Sequence, residues 1–353
     1  MKSKRMKSFV LFVLVLPLLA GCSQSKLSRD KVDFGVVFTS DNIYKTEILW
    51  FEKNIDNCQR KKYHYAALGT HFNQVVDDGK ELYLIPEGIF NTKDTKKVVS
   101  FNKETLALSE YPFEHIALNC TAVINDNVYA VNTLNDINYI EKYNMKTKES
   151  SQYKQKGDYF ESIIAVDDKL FTIVKKDNGS KNVDYNIYLY VFSKDLVLEK
   201  NIDITKYGQV NDKYYQDDKD IYFTIGLDSF DNQVGRILKI SKKDYHIEVM
   251  TTKEKMPFDI YFYNDKFIIT HYDPVSCEGT KVSIIDKEGN EKIYNLHMDL
   301  CSTGIYDGKL IVAGKDKIAL FSIKDNMKKV AEKEYKIGDD LYLSNILLVG
   351  NNY

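Results

Sequence analysis

The chain has 353 residues, of which 44% are hydrophobic and 28% are charged, and only five are prolines. This composition is typical of an ordered globular chain with a substantial core, and the 26 tyrosines favour strands. The 49 basic and 51 acidic residues are interspersed and give a formal net charge of −2. Because no basic stripe is available to neutralise phosphates, a nucleic-acid partner is not expected.

The first 21 residues are predicted to be a targeting segment that does not belong to the fold. Four basic residues near the amino terminus precede an apolar stretch of 11 residues, from Phe9 to Leu19. That stretch is too short to span a bilayer comfortably as a helix. Without this segment the chain keeps 45 basic against 51 acidic residues, a net charge of −6.

The end of this segment, Leu19-Ala20-Gly21-Cys22, resembles the lipobox of bacterial lipoproteins. In that family small residues precede a cysteine whose thiol receives a diacylglycerol. The resemblance implies cleavage before Cys22, acylation of Cys22 and attachment to a lipid bilayer on the extracytoplasmic side of the cell membrane. An ordinary signal peptide or membrane anchor with a chance cysteine is the alternative. Residues 22–32 are then the lipidated cysteine and a polar tether, and residues 33–353 are a single domain.

A hairpin string recurs six times in the rest of the chain. Its copies are VVDDGKELYLI from Val75, VINDNVYAV from Val123, AVDDKLFTIV from Ala165, YQDDKDIYFTI from Tyr215, FYNDKFIIT from Phe262 and IYDGKLIVA from Ile305. The first apolar residues after the turns are separated by 46, 42, 51, 46 and 43 residues. Each hairpin is followed by a second strand that runs into a Lys-rich turn and another strand. One unit therefore has four strands, which we call a to d in chain order.

A four-stranded antiparallel unit that recurs about every 45 residues predicts the blade of a β-propeller. The two ends of the chain supply one more blade. Residues 34–40, 46–53 and 60–68 match strands b, c and d with no strand a before them, and residues 341–352 match a strand a with no strand b after it. We therefore predict an all-β fold, a seven-bladed β-propeller whose first blade joins strand a from the carboxyl terminus to strands b–d from the amino terminus. Such closure removes exposed sheet edges.

The repeat resembles the seven-bladed propellers of the quinoprotein-like and YVTN-like superfamily, which occur among bacterial surface lipoproteins. The chain lacks the Trp-Asp dipeptide of WD40 repeats, and its single tryptophan, Trp50, lies in a predicted strand. The repeating docking tryptophans of the quinoprotein dehydrogenases are absent too. We therefore expect no quinone and no other cofactor.

Polar side chains recur at one position near the start of strand a. Aligning the units by their turns places in one column Phe72, Cys120, Ser162, Asp212, Asp259, Ser302 and Asn345. In propellers strand a runs nearest the central channel and starts at the face that carries the b–c loops and d–a connections, where sites usually lie. The six polar or cysteine members are therefore candidates for a ring at the channel mouth. The alternative explanation is that these residues are polar only because the starts of the strands are exposed to solvent.

Histidines and cysteines cluster where the sixth and seventh units meet. His271, Asp273 and Cys277 fall at the end of one strand b and in its b–c loop, and His297 and Cys301 fall in the next d–a connection. Their spacings match no zinc module, so no metal site is expected. A Cys277–Cys301 disulfide and two free thiols both remain open.

The remaining cysteines and acidic turns are not expected to form sites. Cys58 falls in a c–d connection, on the face opposite Cys120, so these two thiols are not expected to pair. The Asp-rich a–b turns, including Asp126, lack the spaced ligands of an EF-hand loop and are expected to be turn formers.

Motif searches identify no catalytic constellation. The chain has no Gly-x-Ser-x-Gly elbow, no P-loop and no His-Glu-x-x-His. The favoured expectation is a binding or scaffold module, not an enzyme, whose loop face meets an unknown protein, peptide or glycan. An extracytoplasmic enzyme of the lyase, hydrolase or lactonase type, with its site at the channel mouth, is the alternative, and a subunit of an envelope assembly is a third. Shifted pKa values around Asp212 and Asp259 would favour the enzyme, and a flat loop face would favour the binding module.

Overall fold

A computed structural model of the chain describes residues 31–70, 72, 74–89, 96–134, 137–179 and 185–350. The predicted targeting segment and Cys22 lie outside the described residues. Within the described ranges, no helix has the length and apolar character needed to cross a membrane.

The described residues form 28 strands and a short 3₁₀ turn at Thr205–Tyr207. In chain order the strands are β1 (Phe34–Thr39), β2 (Thr46–Phe51), β3 (Cys58–Tyr63), β4 (Val76–Asp77), β5 (Glu81–Leu84), β6 (Lys97–Asn102), β7 (Leu108–Pro112), β8 (Leu118–Ile124), β9 (Asn127–Leu134), β10 (Ile137–Asn144), β11 (Ser150–Lys156), β12 (Asp158–Val166), β13 (Lys169–Asp177), β14 (Tyr185–Ser193), β15 (Leu198–Asp203), β16 (Gln209–Gln216), β17 (Asp220–Leu227), β18 (Gln233–Ser241), β19 (Ile247–Thr251), β20 (Pro257–Tyr263), β21 (Lys266–Asp273), β22 (Glu278–Ile285), β23 (Glu291–Asn295), β24 (Ser302–Tyr306), β25 (Lys309–Ala313), β26 (Lys317–Ser322), β27 (Lys328–Glu334) and β28 (Tyr342–Leu348).

These strands form seven four-stranded antiparallel sheets arranged as the blades of a β-propeller. Blade 1 has the order β28-β1-β2-β3, and the other blades use consecutive strands, from β4–β7 in blade 2 to β24–β27 in blade 7. Val36 of β1 pairs with Leu49 on one side and with Ile346 on the other. The predicted all-β fold and the closure of blade 1 by both ends of the chain are confirmed.

The burial of each strand follows its place in the blade. Strand b of blade 5, β17, is buried from Ile221 to Gly226 because neighbouring sheets pack on both of its faces. Strand d of blade 4, β15, is exposed at nearly every position and carries the sequence LEKNID. A polar outermost strand protects the blade edge against pairing with other chains.

The a–b turns explain why the hairpin string recurs. Four of them place an Asn or Asp in the left-handed region, with φ of 53° at Asn125, 54° at Asp167, 48° at Asn264 and 50° at Asp307. Asn and Asp tolerate this conformation better than other residues with a side chain. The recurring Asn and Asp residues therefore serve the tight turn, as the sequence predicts.

The other acidic turns are held by side-chain hydrogen bonds. One carboxylate oxygen of Asp78 accepts hydrogen bonds of 2.8 Å from the backbone N–H groups of Lys80 and Glu81. Its other oxygen accepts a bond of 2.8 Å from the hydroxyl of Tyr83. The a–b and c–d turns lie together at one end of the strands, which we call the turn face. The b–c loops and d–a connections form the opposite loop face.

Strand a of each complete blade lies at the inner edge of its sheet, and these inner strands pack against one another around the channel. β8 contacts β12, β16 contacts β20 and β24 contacts β28. Blade 2 differs from the sequence prediction because its strand a, β4, has two residues. Phe72 therefore lies in a bend ahead of the strand, where it is 47% exposed.

Candidate functional site

The inner strands carry β-bulges near their loop-face ends. The register shifts between Leu118 and Cys120 in β8, between Phe160 and Ser162 in β12, between Pro257 and Ile260 in β20, and opposite Val37 and Phe38 in β28. A bulge leaves a residue outside the ladder and redirects its side chain. Bulges at one level of several blades therefore change which side chains face the channel.

The largest of these irregularities lies in β16 of blade 5. Val210 pairs with Ile225, and Tyr214 pairs with Phe223, so residues 211–213 leave the ladder opposite one residue of β17. The amide of Asn211 holds this segment through bonds of 3.1 Å to Thr224 Oγ1 and 3.0 Å to the carbonyl of Pro257. The segment displaces Asp212 and Lys213 from regular pairing.

Side chains from opposite blades meet inside the ring below this bulge. The backbone N–H of Tyr214 in blade 5 donates to Gln74 Oε1, ahead of blade 2, over 3.1 Å. The ammonium of Lys213 lies 3.5 Å from Asn345 Oδ1 in blade 1. These contacts join blades that are not neighbours, so polar side chains cross the channel at this level.

The structure brings four of the six predicted channel-mouth residues together. Cys120, Ser162, Asp212 and Asn345 line one small cavity of about 30 Å³. Ser302 is buried in β24 and does not line that cavity.

Asp259, the remaining member of the predicted ring, is a buried and well-bonded carboxylate. Its Oδ2 accepts hydrogen bonds from the hydroxyls of Thr303 at 2.6 Å, Tyr272 at 2.8 Å and Thr270 at 3.1 Å. Three donors on one oxygen satisfy the charge within the protein. Asp259 therefore holds blades 6 and 7 together and does not line the mouth.

A larger cavity of about 730 Å³ opens at the loop face, and only Asp212 of the predicted ring lines it. Among the described residues of its wall, the acidic ones are Asp41, Glu87, Glu161, Asp212 and Asp273, and the basic one is Lys175. The aromatic residues are Phe72, Tyr159, Phe258, Tyr272 and Tyr342. The loop face is therefore concave and not flat. We call this space the mouth cavity.

Asp212 and Glu161 form the electrostatic centre of the mouth cavity. Burial raises the pKa of Asp212 well above its ordinary value, and the negative charge of Glu161 raises it further, against the opposing effects of Ser162, Lys175 and Lys213. Glu161 Oε1 forms an ion pair with Lys175. Within the part of the chain that the structure describes, the buried atoms Asp212 Oδ1 and Glu161 Oε2 find no hydrogen-bond partner. This pair retains capacity to accept donors.

Two further titratable groups lie beside this pair. Burial lowers the pKa of Lys213, while Asp259 and Asp212 act to raise it. Burial raises the pKa of Cys120 well above its ordinary value, and the charge of Asp212 adds to that effect. A thiol held protonated is a poor nucleophile, so Cys120 acts as a small packing residue. It is a free cysteine of the described residues.

The histidine and cysteine cluster is structural. Cys277 and Cys301 form a disulfide with their Cα atoms 4.6 Å apart, linking the b–c loop of blade 6 to the start of blade 7. The ring of His271 is bonded to the carbonyl of Lys255 at 2.9 Å and to Ser283 Oγ at 2.8 Å, and its pKa is lowered by burial. The described ranges contain no group of three or more His, Cys, Asp or Glu side chains that could hold a metal ion.

The alignment of strand a positions missed most of the residues in the mouth cavity for two reasons. Several of them, such as Asp41 and Val275, lie in b–c loops, and others replace the aligned residues where bulges shift the register. Asn119 and Glu161 directly precede the column residues Cys120 and Ser162 and line the mouth in their place. Lys175 lies near the end of strand b in blade 4 and pairs with Glu161 across the sheet. A polar residue immediately before the column residue, in an otherwise apolar strand, is the sequence signal that identifies such positions.

No family model and no curated protein matches the sequence. Among solved structures, the chain is similar to a functionally unknown protein from Desulfotomaculum acetoxidans DSM 771, at 11% identity and a TM-score of 0.57, over 89% of this chain and 99% of that one. It is also similar to the dihydro-heme d1 dehydrogenase NirN in complex with DHE, at 12% identity and a TM-score of 0.54, over 96% of this chain and 80% of that one.

A third similar structure is apo AztD from Citrobacter koseri, at 8% identity and a TM-score of 0.51, over 89% of this chain and 97% of that one. One neighbour is named as a dehydrogenase and another as a protein of unknown function. Because one propeller fold supports many functions, these likenesses establish the fold alone.

Proposed function

We propose that the protein is a lipid-anchored binding module on the extracytoplasmic side of a cell membrane, and that it takes its ligand in the mouth cavity. The mouth cavity of about 730 Å³ is the observation that carries this proposal. Ligand sites are concave, mainly preformed, and combine apolar walls with a few convergent polar groups. The aromatic walls and the Glu161–Asp212 pair have these properties.

The exposed apolar residues of the loop face support a binding role. Phe72, Tyr159 and Val275 line the mouth cavity and are 47%, 45% and 67% exposed. Large apolar side chains that gather at one site on a protein surface mark an interaction surface. The closed ring of blades holds these loops in place before a ligand arrives, which reduces the entropy lost on binding.

The anchor is supported by the lipobox-like Leu19-Ala20-Gly21-Cys22, and the direction in which the chain enters the ring determines how an anchored domain would be oriented. Strand b of blade 1, β1, begins at the turn face, where Asp33 Oδ2 accepts a bond of 2.8 Å from the N–H of Lys53. The tether therefore joins the domain on the face opposite the mouth cavity. An anchored protein would direct its cavity away from the membrane.

Site-specific photo-crosslinking tests the binding role. A photoreactive residue at Tyr159 lies on the loop face, and one at Phe262, an exposed aromatic near the turn-face end of β20, is the matched control. Crosslinks are expected from position 159 and not from position 262 in membranes of the producing cell. Equal labelling from both positions, or labelling from position 262 alone, would contradict the proposal.

The anchor has its own test. Cys22→Ser removes the thiol that would be acylated, so the protein is expected to leave the membrane fraction and to lose a lipid mass from its amino-terminal peptide. Cys120→Ser is the control, because Cys120 is buried in the ring. Membrane retention of the Cys22→Ser protein would contradict lipid anchoring while leaving the cavity's role intact.

An acid–base enzyme is the second candidate, and the raised pKa of Asp212 beside Glu161 favours it. A carboxyl group with a raised pKa can act as a general acid, and a second carboxyl group beside it can provide a partner in acid–base catalysis. Assays with glycoside and lactone substrates would show turnover that is lost in Asp212→Asn. Ligand binding without turnover of any such substrate would favour the binding module.

A further inference from the structure

The charge of the mouth cavity is strongly one-sided. Within the described residues its wall has five carboxyl groups and one lysine, a net charge of −4 when all are ionised. Lys213 and Asp259 are buried, do not line this cavity and have opposite charges when ionised, so together they do not offset its negative charge. A concave site with low-dielectric walls concentrates such a field and attracts cations.

Two carboxylate oxygens of the site can accept hydrogen bonds, which is the property that a cationic ligand requires. Asp212 Oδ1 and Glu161 Oε2 are buried atoms that have no hydrogen-bond partner among the described residues. An ionised carboxylate can only accept hydrogen bonds, whereas guanidinium and ammonium groups only donate them. The two side chains line the cavity wall and are partly exposed, so a rotation of either carboxyl group would bring its oxygen to a cationic group, which would satisfy it through a charge-assisted bond, whereas an anion would add repulsion.

Aromatic side chains complete the surroundings that favour a cation. Tyr159 and Phe72 are exposed in the cavity wall, and the hydroxyl of Tyr342 donates to Asp41 over 2.7 Å. Aromatic faces attract guanidinium and ammonium groups, most strongly when water is excluded. Carboxylates and aromatic rings in one cavity therefore select for positive charge.

The surface around the cavity indicates that this charge belongs to a larger ligand. Exposed apolar side chains also occur at the loop-face ends of several blades, at Ile43, Leu134, Tyr185 and Phe230. A small cation inside the cavity would leave most of them uncovered. A polypeptide can insert one side chain and cover the surrounding apolar surface with its neighbours.

We infer that the mouth cavity receives an arginine or lysine side chain of a polypeptide partner, with apolar neighbours of that residue packed against the exposed side chains of the loop face. This inference rests on the proposed binding function and specifies the chemistry of the ligand.

Binding of such a cation is coupled to pH. The groups that face Asp212 are Tyr159, Glu161 and Ser162 from β12, Cys120 from β8, Lys175 from β13 and Lys213 beside it in β16. Burial raises the pKa of Asp212, and a cation favours the ionised carboxylate. Binding should therefore strengthen as pH rises through the pKa of Asp212 and should release a proton.

Titration calorimetry on the whole chain with three pentapeptides and with acetyl-arginine-amide tests the inference. The pentapeptides are acetyl-Ala-Phe-Arg-Phe-Ala-amide and the same peptide with citrulline or glutamate in place of arginine. Citrulline keeps the shape of arginine and lacks its charge, so its peptide is expected to bind at least about tenfold more weakly. Asp212→Asn and Glu161→Gln are expected to remove this preference for arginine.

Asp218→Asn is the matched control variant, because it removes one exposed negative charge from the turn face of the same blade and should leave the preference unchanged. Equal affinity for the arginine and citrulline peptides, or no binding of the arginine peptide, would overturn the inference. Equal affinity for acetyl-arginine-amide and the pentapeptide would overturn the polypeptide part. If citrulline and arginine peptides bind equally and both are weakened by Tyr159→Ala, the loop face binds ligands and the preference for a cation is wrong.

Discussion

Two aspartates five residues apart in blade 5 have opposite environments. Asp212, in the bulge of β16, has a raised pKa because its carboxyl group is partly withdrawn from water beside the negative charge of Glu161, and its Oδ1 has no hydrogen-bond partner among the described residues. Asp217 follows the same strand at the turn face. Although burial acts to raise the pKa of Asp217, bonds from the backbone N–H groups of Lys219 and Asp220 and from Tyr222 lower it.

The different environments of Asp212 and Asp217 show which acidic residues stabilise the ring and which are available to a ligand. At the turn face the carboxylate is satisfied by neighbours in sequence, and Asp217 Oδ1 accepts its two N–H bonds at 2.8 Å. At the loop face the carboxylate depends on groups from other blades and is incompletely satisfied. Natural proteins keep such unfavourable arrangements at functional sites, where a ligand benefits from them.

Removal of β28 is expected to have the largest effect, because both faces depend on the closed ring. A chain that ends before Leu341 loses the strand that pairs with β1 from Phe34↔Leu348 to Thr39↔Tyr342, together with the buried Leu347. We expect loss of the cooperative thermal transition in circular dichroism. A chain that ends after Gly350 is the control and should melt as the whole protein does. An unchanged midpoint for the shorter chain would show that closure does not support either face.

Reduction of the Cys277–Cys301 disulfide is expected to have the second-largest effect and to destabilise the loop face. The bond spans 24 residues, and closing a loop of this size contributes up to about 3.5 kcal/mol on the chain-entropy model. Denaturant unfolding with and without reductant measures the effect, and Cys277→Ser with Cys301→Ser should reproduce it. Equal midpoints in both conditions would mean that packing alone holds this loop.

Loss of the turn-face carboxylate in Asp217→Ala is expected to lower the free energy of unfolding by about 1–2 kcal/mol, since two backbone N–H groups and a tyrosine hydroxyl lose their acceptor. Because the folded pKa is depressed, the carboxylate stabilises the fold above its unfolded pKa, and this contribution falls as pH drops through the folded pKa. Asp217→Asn retains one acceptor oxygen and should lose less. Binding at the mouth cavity should be unchanged in both variants, and a loss of binding would break the separation of the two faces.

Asp212→Asn is expected to have the smallest effect on stability and the opposite sign. The folded pKa is raised above the ordinary value of 3.8, so the folded state holds a proton that the unfolded state releases, and stability declines as pH rises through that window. An amide resembles the protonated acid and should stabilise the protein by roughly 1 kcal/mol at neutral pH, with no gain below the ordinary pKa. Thermal melting at acidic and neutral pH measures this. Destabilisation at neutral pH would indicate that Asp212 is a structural group like Asp217.

The turn face could be predicted from the sequence in detail. Its residues act on near neighbours, so the Asn and Asp positions that need a left-handed conformation repeat with each blade. The ring of candidate residues was predicted less well. Cys120, Ser162, Asp212 and Asn345 meet at one cavity, whereas Asp259 is bonded internally. A prediction that assumes regular alternation of side chains along a strand cannot locate a β-bulge. In β12 the one extra residue of the bulge places Glu161, and not Ser162, at the mouth cavity.

The sequence by itself determined the seven blades, the strands within them and the closure between the two ends of the chain, because these depend on local periodicity and on turn chemistry that is repeated with every unit. The tertiary structure alone decided which side chains reach the mouth cavity. The three-residue departure of β16 from its ladder, the pairing of Lys175 with Glu161 and the contact of Lys213 with Asn345 join residues from different strands and blades. Burial and unsatisfied charge arise only when such residues are brought together.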